Sequence, residues 1–97
     1  MHAVVGVWTV ALDRRESQER DLRDVIVPSV TAHPGFVAGY WMHDAETGKS
    51  HTTIVLDSEE SAHNFKALVV GNAQSHARAG MTADYLAVVN VVADARR

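Results

Sequence analysis

Strands that are apolar on both faces leave a short chain few ways to fold, and this chain has two of them. Ala3 to Ala11 (AVVGVWTVA) and Tyr85 to Ala93 (YLAVVNVVA) are rich in β-branched and aromatic residues and read as strands. In the first, Val5 and Val7 point to one face while Val4, Trp8 and Val10 point to the other. In the last, Leu86, Val88 and Val92 oppose Tyr85, Val89 and Val91. An antiparallel sheet with one wet face would alternate apolar and polar residues instead. Both faces of these strands therefore need cover.

Two helices are available to provide it. Asp13 and Glu16 form a capping-box pattern that opens a helix running to about His33, with Leu22, Ile26 and Val30 along one face. Arg15–Glu19, Glu16–Arg20 and Glu19–Arg23 sit four apart, as a solvated helical face with pairing would have them. Pro28 removes a backbone donor and should kink or shorten this helix, and Pro34-Gly35 ends it. Phe36 to His43 (FVAGYWMH) and Ser50 to Leu56 (SHTTIVL) read as a hairpin around the turn DAETGK. Asp57-Ser58-Glu59-Glu60 caps a second helix to about Arg78, with Gly80 as its stop.

The order βαββαβ is that of a ferredoxin-like α+β domain, a four-stranded antiparallel sheet with two helices. Right-handed crossovers place strands one and three in the centre. The helices cover one sheet face only. Leaving the other in water would expose more than the few hundred Å² usual for a monomer. Burying about 1,000 Å² at roughly 25 cal/mol per Å² offers on the order of 25 kcal/mol before association costs. A homodimer formed through the sheet face is the expected solution.

Composition narrows the function classes. At 97 residues and 46% hydrophobic, the chain makes one domain spanning 1–97. A net charge of −3 gives no basic footprint for nucleic acid, and the aromatic-basic signature of RNA-recognition domains is missing. The absence of cysteine excludes disulfides, thiolate metal sites and cysteine nucleophiles. No apolar run approaches the roughly 20 residues of a membrane span, and the N-terminus lacks the pattern of a signal peptide. A cytoplasmic protein is expected. No nucleophile elbow, phosphate loop, catalytic carboxylate pair or zinc motif is present.

Three features together are similar to the antibiotic-biosynthesis-monooxygenase-like branch of the dimeric α+β barrel superfamily. They are the element order, the turn His33-Pro34-Gly35-Phe36-Val37, and the helix start Leu56-Asp57-Ser58-Glu59-Glu60-Ser61-Ala62. The resemblance covers nearly the whole chain. It implies a ligand cavity between helices and sheet, and activities ranging from cofactor-independent oxygenation of polycyclic phenols to haem degradation. Such enzymes carry an asparagine on the first strand, where this chain has Val7, Trp8 and Thr9, and a tryptophan in the second helix, where it has Phe65. Haem degraders place a histidine ligand near the end of that helix; His76 lies about two residues out of register with it.

Ala62, Phe65, Val69, Ala73 and His76 form one stripe on the second helix, with Asn72 beside them. Polar groups there either line a cavity or sit on a frayed, solvated helix end. In the cavity reading His76 is the catalytic proton acceptor and Asn72 orients substrate, while Trp8, Thr9, Phe65 and Asn90 contact it. Trp8 and Trp41 share strand parity and serve equally as pocket wall or as core and interface. Asn90 interrupts an apolar strand and needs a partner, in a pocket or at an interface. His43 and His51 flank the hairpin turn as prospective cross-strand neighbours with no third ligand near them, so no metal is expected. His33 suits a helix C-terminus as a dipole partner, and His63 is expected in solvent.

These residues predict a small monooxygenase acting on an aromatic or polycyclic substrate without a cofactor. The alternatives are a non-catalytic small-molecule-binding or structural dimer and, third, a haem-binding or haem-degrading protein.

Overall fold

The computed structural model describes residues 1–97 in full. Its four strands are β1 (His2–Val10), β2 (Phe36–His43), β3 (Ser50–Leu56) and β4 (Met81–Asn90). They form one antiparallel sheet in the order β2-β3-β1-β4, so strands one and three are central as the crossovers require. The hairpin strands begin and end where their composition places them. β4 starts four residues earlier than its apolar run, because Met81, Thr82 and Ala83 pair with Val10, Thr9 and Trp8. The register of this pair slips between Val7 and Trp8, leaving Asp84 as the extra residue of a β-bulge.

The first helical run occupies residues 12–31 and changes pitch along its length. A 3₁₀ turn (Leu12–Arg14) leads into α1 (Arg15–Asp21), a π-helical stretch (Leu22–Ile26) and α2 (Val27–Thr31). Pro28 explains the π stretch. It has no N–H to give the Asp24 carbonyl, and the Val27 N–H donates to Leu22 O, five residues back. The predicted capping box is not formed, since Ala11 precedes the run and no side chain caps it. Arg15 pairs with Glu19 at 3.2 Å, whereas Arg23 lies 3.7 Å from its neighbour Asp24.

The second helical run is α3 (Glu59–Gly71) followed, after a break at Asn72, by α4 (Ala73–Arg78). Ser58 caps α3, accepting from the Ser61 N–H at 3.1 Å. The Pro34-Gly35 turn docks on this cap. Gly35 has φ +83, its carbonyl accepts from Asp57 N–H at 2.9 Å, and a Cβ there would lie 2.5 Å from both Asp57 Oδ1 and Ser61 Oγ. Glycine is required by conformation and by space alike.

Both helical runs pack on the sheet face that carries Val4, Trp8, Ile54 and Leu56. Val4, Ile54, Leu56, Ala62 and Phe65 form the buried core, with Leu56 fully inaccessible. The opposite face is open and apolar: Tyr40, Met42, Tyr85 and Val89 are exposed there. No helix is long and apolar enough to cross a membrane.

Candidate functional site

Between the two helical runs and the sheet lies a cavity of about 450 Å³, within the usual range for small-molecule sites. Leu22, Ile26 and Val30 of the first run form one wall, as their spacing predicts, and Phe65, Val69 and His76 form the other. Trp8, Trp41, Thr52 and Ile54 make the floor on the sheet. Exposed Leu12, Val25 and Leu68 ring the mouth. One end is closed by hydrogen bonds from the first run to the end of α4. Arg14 donates to Arg78 O, Gln18 donates to Ala79 O at 2.9 Å, and Ala11 N–H donates to Gly80 O at 2.8 Å. These donors satisfy carbonyls that the end of a helix leaves free.

Of the residues singled out from sequence, Trp8, Phe65, Asn72 and His76 line this cavity. Thr9 and Asn90 do not. Strand alternation turns Thr9 to the open sheet face, where its hydroxyl donates to Asp84 Oδ2 at 2.8 Å and Lys49 Nζ meets the same oxygen at 2.6 Å. Those two contacts, Lys49 first, hold the Asp84 carboxyl below its ordinary value. Asn90 pairs with His2 at the far end of β4 and is exposed.

His76 is half-buried, and its ring meets Trp8 edge-on, with centroids 5.1 Å apart and planes at 86°. Desolvation pushes its pKa below the ordinary 6.5, so the imidazole is neutral at pH 7 and able to accept a proton. Its Nδ1 is buried with no hydrogen-bond partner. No side-chain hydrogen bond joins Asn72 and His76; Asn72, at the junction of α3 and α4, meets His76 through the backbone, its carbonyl accepting from the His76 N–H at 3.0 Å. Trp8 is buried, and its Nε1–H donates to Thr52 Oγ1 at 3.3 Å.

Sequence reasoning passed over three contributors. His33 lines the cavity and meets Phe65 edge-on at 5.3 Å, where a dipole role was expected. Thr52 anchors Trp8. His43 lies at the cavity rim, on the opposite sheet face from His51, since His43 pairs with Ser50 and His51 with Met42. The two histidines therefore cannot share a ligand. The available signal was the repeated Gly-x-Trp pattern, Gly6-Val7-Trp8 and Gly39-Tyr40-Trp41, which marks strand positions where an indole folds over a glycine.

No group of three or more histidine or acidic side chains is placed to hold a metal. For haem, His76 would be the residue to offer an imidazole, but the carboxylate or carbonyl that normally holds the other ring nitrogen of a ligating histidine is missing at Nδ1. The fit is incomplete, and no chemical step is routed through that group.

No protein-family model matches this sequence, and no curated protein matches it. Solved structures do. A candidate antibiotic biosynthesis monooxygenase from Deinococcus radiodurans superposes with a TM-score of 0.72 at 15% identity, over 100% of this chain and 97% of that one. MupZ from Pseudomonas fluorescens gives 0.69 at 12% identity, over 90% and 69%. The haem degrader MhuD from Mycobacterium tuberculosis, solved with two haems in its active site, gives 0.68 at 20% identity, over 99% and 100%. The chain thus has the ferredoxin-like α+β fold of these three proteins, one of them a candidate antibiotic biosynthesis monooxygenase.

Proposed function

We propose that this protein binds an aromatic or polycyclic phenol in the cavity and oxygenates it with dioxygen, without a resident cofactor. The observation that carries this reading is a neutral, half-buried imidazole on the wall of a largely apolar cavity. His76 accepts the phenolic proton, and the resulting electron-rich anion supplies the electrons that reduce oxygen. In net terms a ring-flanking CH₂ becomes C=O, one oxygen atom entering the product and the other leaving as water. Trp8 and Phe65 hold the substrate plane, and Asn72 lies at the cavity wall as a polar positioner. A cytoplasmic setting suits the reading.

The experiment is oxygen uptake with a panel of hydroxylated polycyclic aromatics, for the parent protein and His76→Gln. Loss of a proton acceptor costs about 10²–10⁴-fold in rate. The reading fails if no panel member is turned over, or if His76→Gln is as fast as the parent. Binding without turnover would leave a non-catalytic binding protein, which the missing hydrogen bond at Nδ1 favours. The haem reading fails if titration with haem produces no Soret shift.

We also infer that a second copy covers the open sheet face. Tyr40 and Tyr85 are 58% and 56% exposed on it beside Met42 and Val89, too much apolar surface for a stable monomer face. Light scattering should give the mass of two chains, and Tyr85→Asp should return one. A monomeric parent would overturn this inference and leave the cavity chemistry untouched.

A further inference from the structure

The Trp8 indole is folded back along β1. A Cβ at Gly6 would lie 2.9 Å from Trp8 Nε1 and 2.9 Å from Thr52 Oγ1, so the ring edge occupies the space that any other residue at position 6 would fill. In that place it finds an acceptor, since Thr52 pairs with Gly6 across the β1–β3 ladder and its hydroxyl takes the Nε1–H at 3.3 Å. The same indole meets the His76 ring at 5.1 Å. His76 stands on α4, a helix of six residues, and no side-chain hydrogen bond steadies its buried Nδ1. A ring so placed would exchange between rotamers unless a neighbour confined it.

We propose that Gly6 and Thr52 are positioning residues for His76 and act through Trp8. Gly6 leaves room for the indole to lie back, Thr52 pins it there, and the pinned indole sets the orientation of the imidazole at the cavity wall. A carboxylate or carbonyl commonly does this for a working histidine; here an aromatic ring takes that place. The consequence for turnover rests on the proton-acceptor reading of His76, whereas the positioning itself is measurable in the free protein.

Trp8 and Trp41 are the chain's two tryptophans, so Trp41→Phe leaves Trp8 as the sole indole, read by excitation at the red edge where Tyr40 and Tyr85 do not absorb. An imidazolium in contact with an indole quenches its emission more than a neutral imidazole does, and emission against pH then reports the His76–Trp8 contact. His33, His43, Arg15 and Glu19 also face the cavity, so the share of quenching lost in His76→Gln defines the His76 component. Thr52→Val, nearly isosteric but without an acceptor, should lose most of that component, and Thr52→Ser should restore it. Gly6→Ala should give the same loss by driving the indole out of its place. Unchanged quenching in Thr52→Val, or a loss that Thr52→Ser does not restore, would overturn the proposal. With a substrate in hand, Thr52→Val should lower kcat roughly tenfold with KM little changed. Lost quenching with unaltered kcat would instead overturn the proton-acceptor role of His76 and leave the positioning standing.

Discussion

Replacing Gly35 with alanine should destabilise the protein several times more than the same change at Gly48. Both glycines have positive φ, +83 and +73, so an alanine at either carries a left-handed penalty of about 1–2 kcal/mol. A stiffer unfolded chain offsets about 0.4–1 kcal/mol of it in each case. At Gly48 nothing lies within 4 Å of the new Cβ, and the net cost should be about 1 kcal/mol. At Gly35 the Cβ would stand 2.5 Å from Asp57 Oδ1 and 2.8 Å from Ser61 Cβ. Ser61 cannot retreat without moving the first turn of α3, where its N–H bonds to Ser58 Oγ at 3.1 Å and the two hydroxyls lie 3.0 Å apart. Overpacking adds about 1–3 kcal/mol and a weakened cap about 1 more, for a total of about 3–5 kcal/mol. Urea denaturation followed by circular dichroism, at one fixed chain concentration, measures the difference. Losses at the two sites equal to within about 0.5 kcal/mol would refute the claim that the turn is seated against the α3 cap.

Leu56→Ala, at a fully buried position beneath α3, should cost about 2–5 kcal/mol by the same assay. The depressed pKa of His76 means that the unfolded chain takes up a proton more readily than the folded one. Stability should therefore be fully present above about pH 6.5 and fall as pH drops toward the lower, folded pKa, and His76→Gln should flatten that slope in urea titrations at stepped pH. Lys49→Met removes the strongest contact holding Asp84 ionised, so carboxyl NMR should show the Asp84 pKa rising toward 3.8, with the Thr9 bond retaining part of the shift.

The architecture was legible because two periodicities agree with two sets of punctuation. The hairpin strands are bounded by Pro34-Gly35, the turn DAETGK and the Ser58 cap, and their observed limits fall on those residues. Two of the three features behind the resemblance also acquire a physical cause, since the Pro-Gly turn and the Asp57–Ser61 helix start are packed against one another. What failed was local. Asp13 has the composition of a cap, yet the run begins a residue earlier as a 3₁₀ turn tied to the end of α4 by Arg14 and Gln18, contacts more than sixty residues away in sequence. The bulge at Asp84 was invisible for a similar reason: only pairing with β1 reveals that the strand begins at Met81.

The candidate site was half legible. Helical spacing found Phe65 and His76, and strand parity found Trp8. Parity should also have removed Thr9, one residue on and so on the opposite face. Asn72 lines the cavity as well, but the side-chain bond to His76 that the four-residue spacing suggested is not formed. Thr52 and His33 were missed because the signals that recruit them, an indole lying over a glycine and a ring seated beside Phe65, belong to side-chain packing between elements.

The five-residue π stretch at Leu22–Ile26 holds one residue more than a plain α-helix would need there. Because a π-helix turns less per residue than an α-helix, removing one residue from it would restore a plain α-helix and leave everything upstream on nearly the same side of the axis. Leu12, Arg15 and Gln18 would stay at the cavity mouth, and the bonds of Arg14 and Gln18 to the end of α4 would be kept. The sheet and the second helical run would be untouched. A one-residue insertion or deletion in this short stretch, which brings Leu22, Val25 and Ile26 to the cavity, is thus a route by which descendants of such a chain could re-line one wall in a single step and keep its mouth.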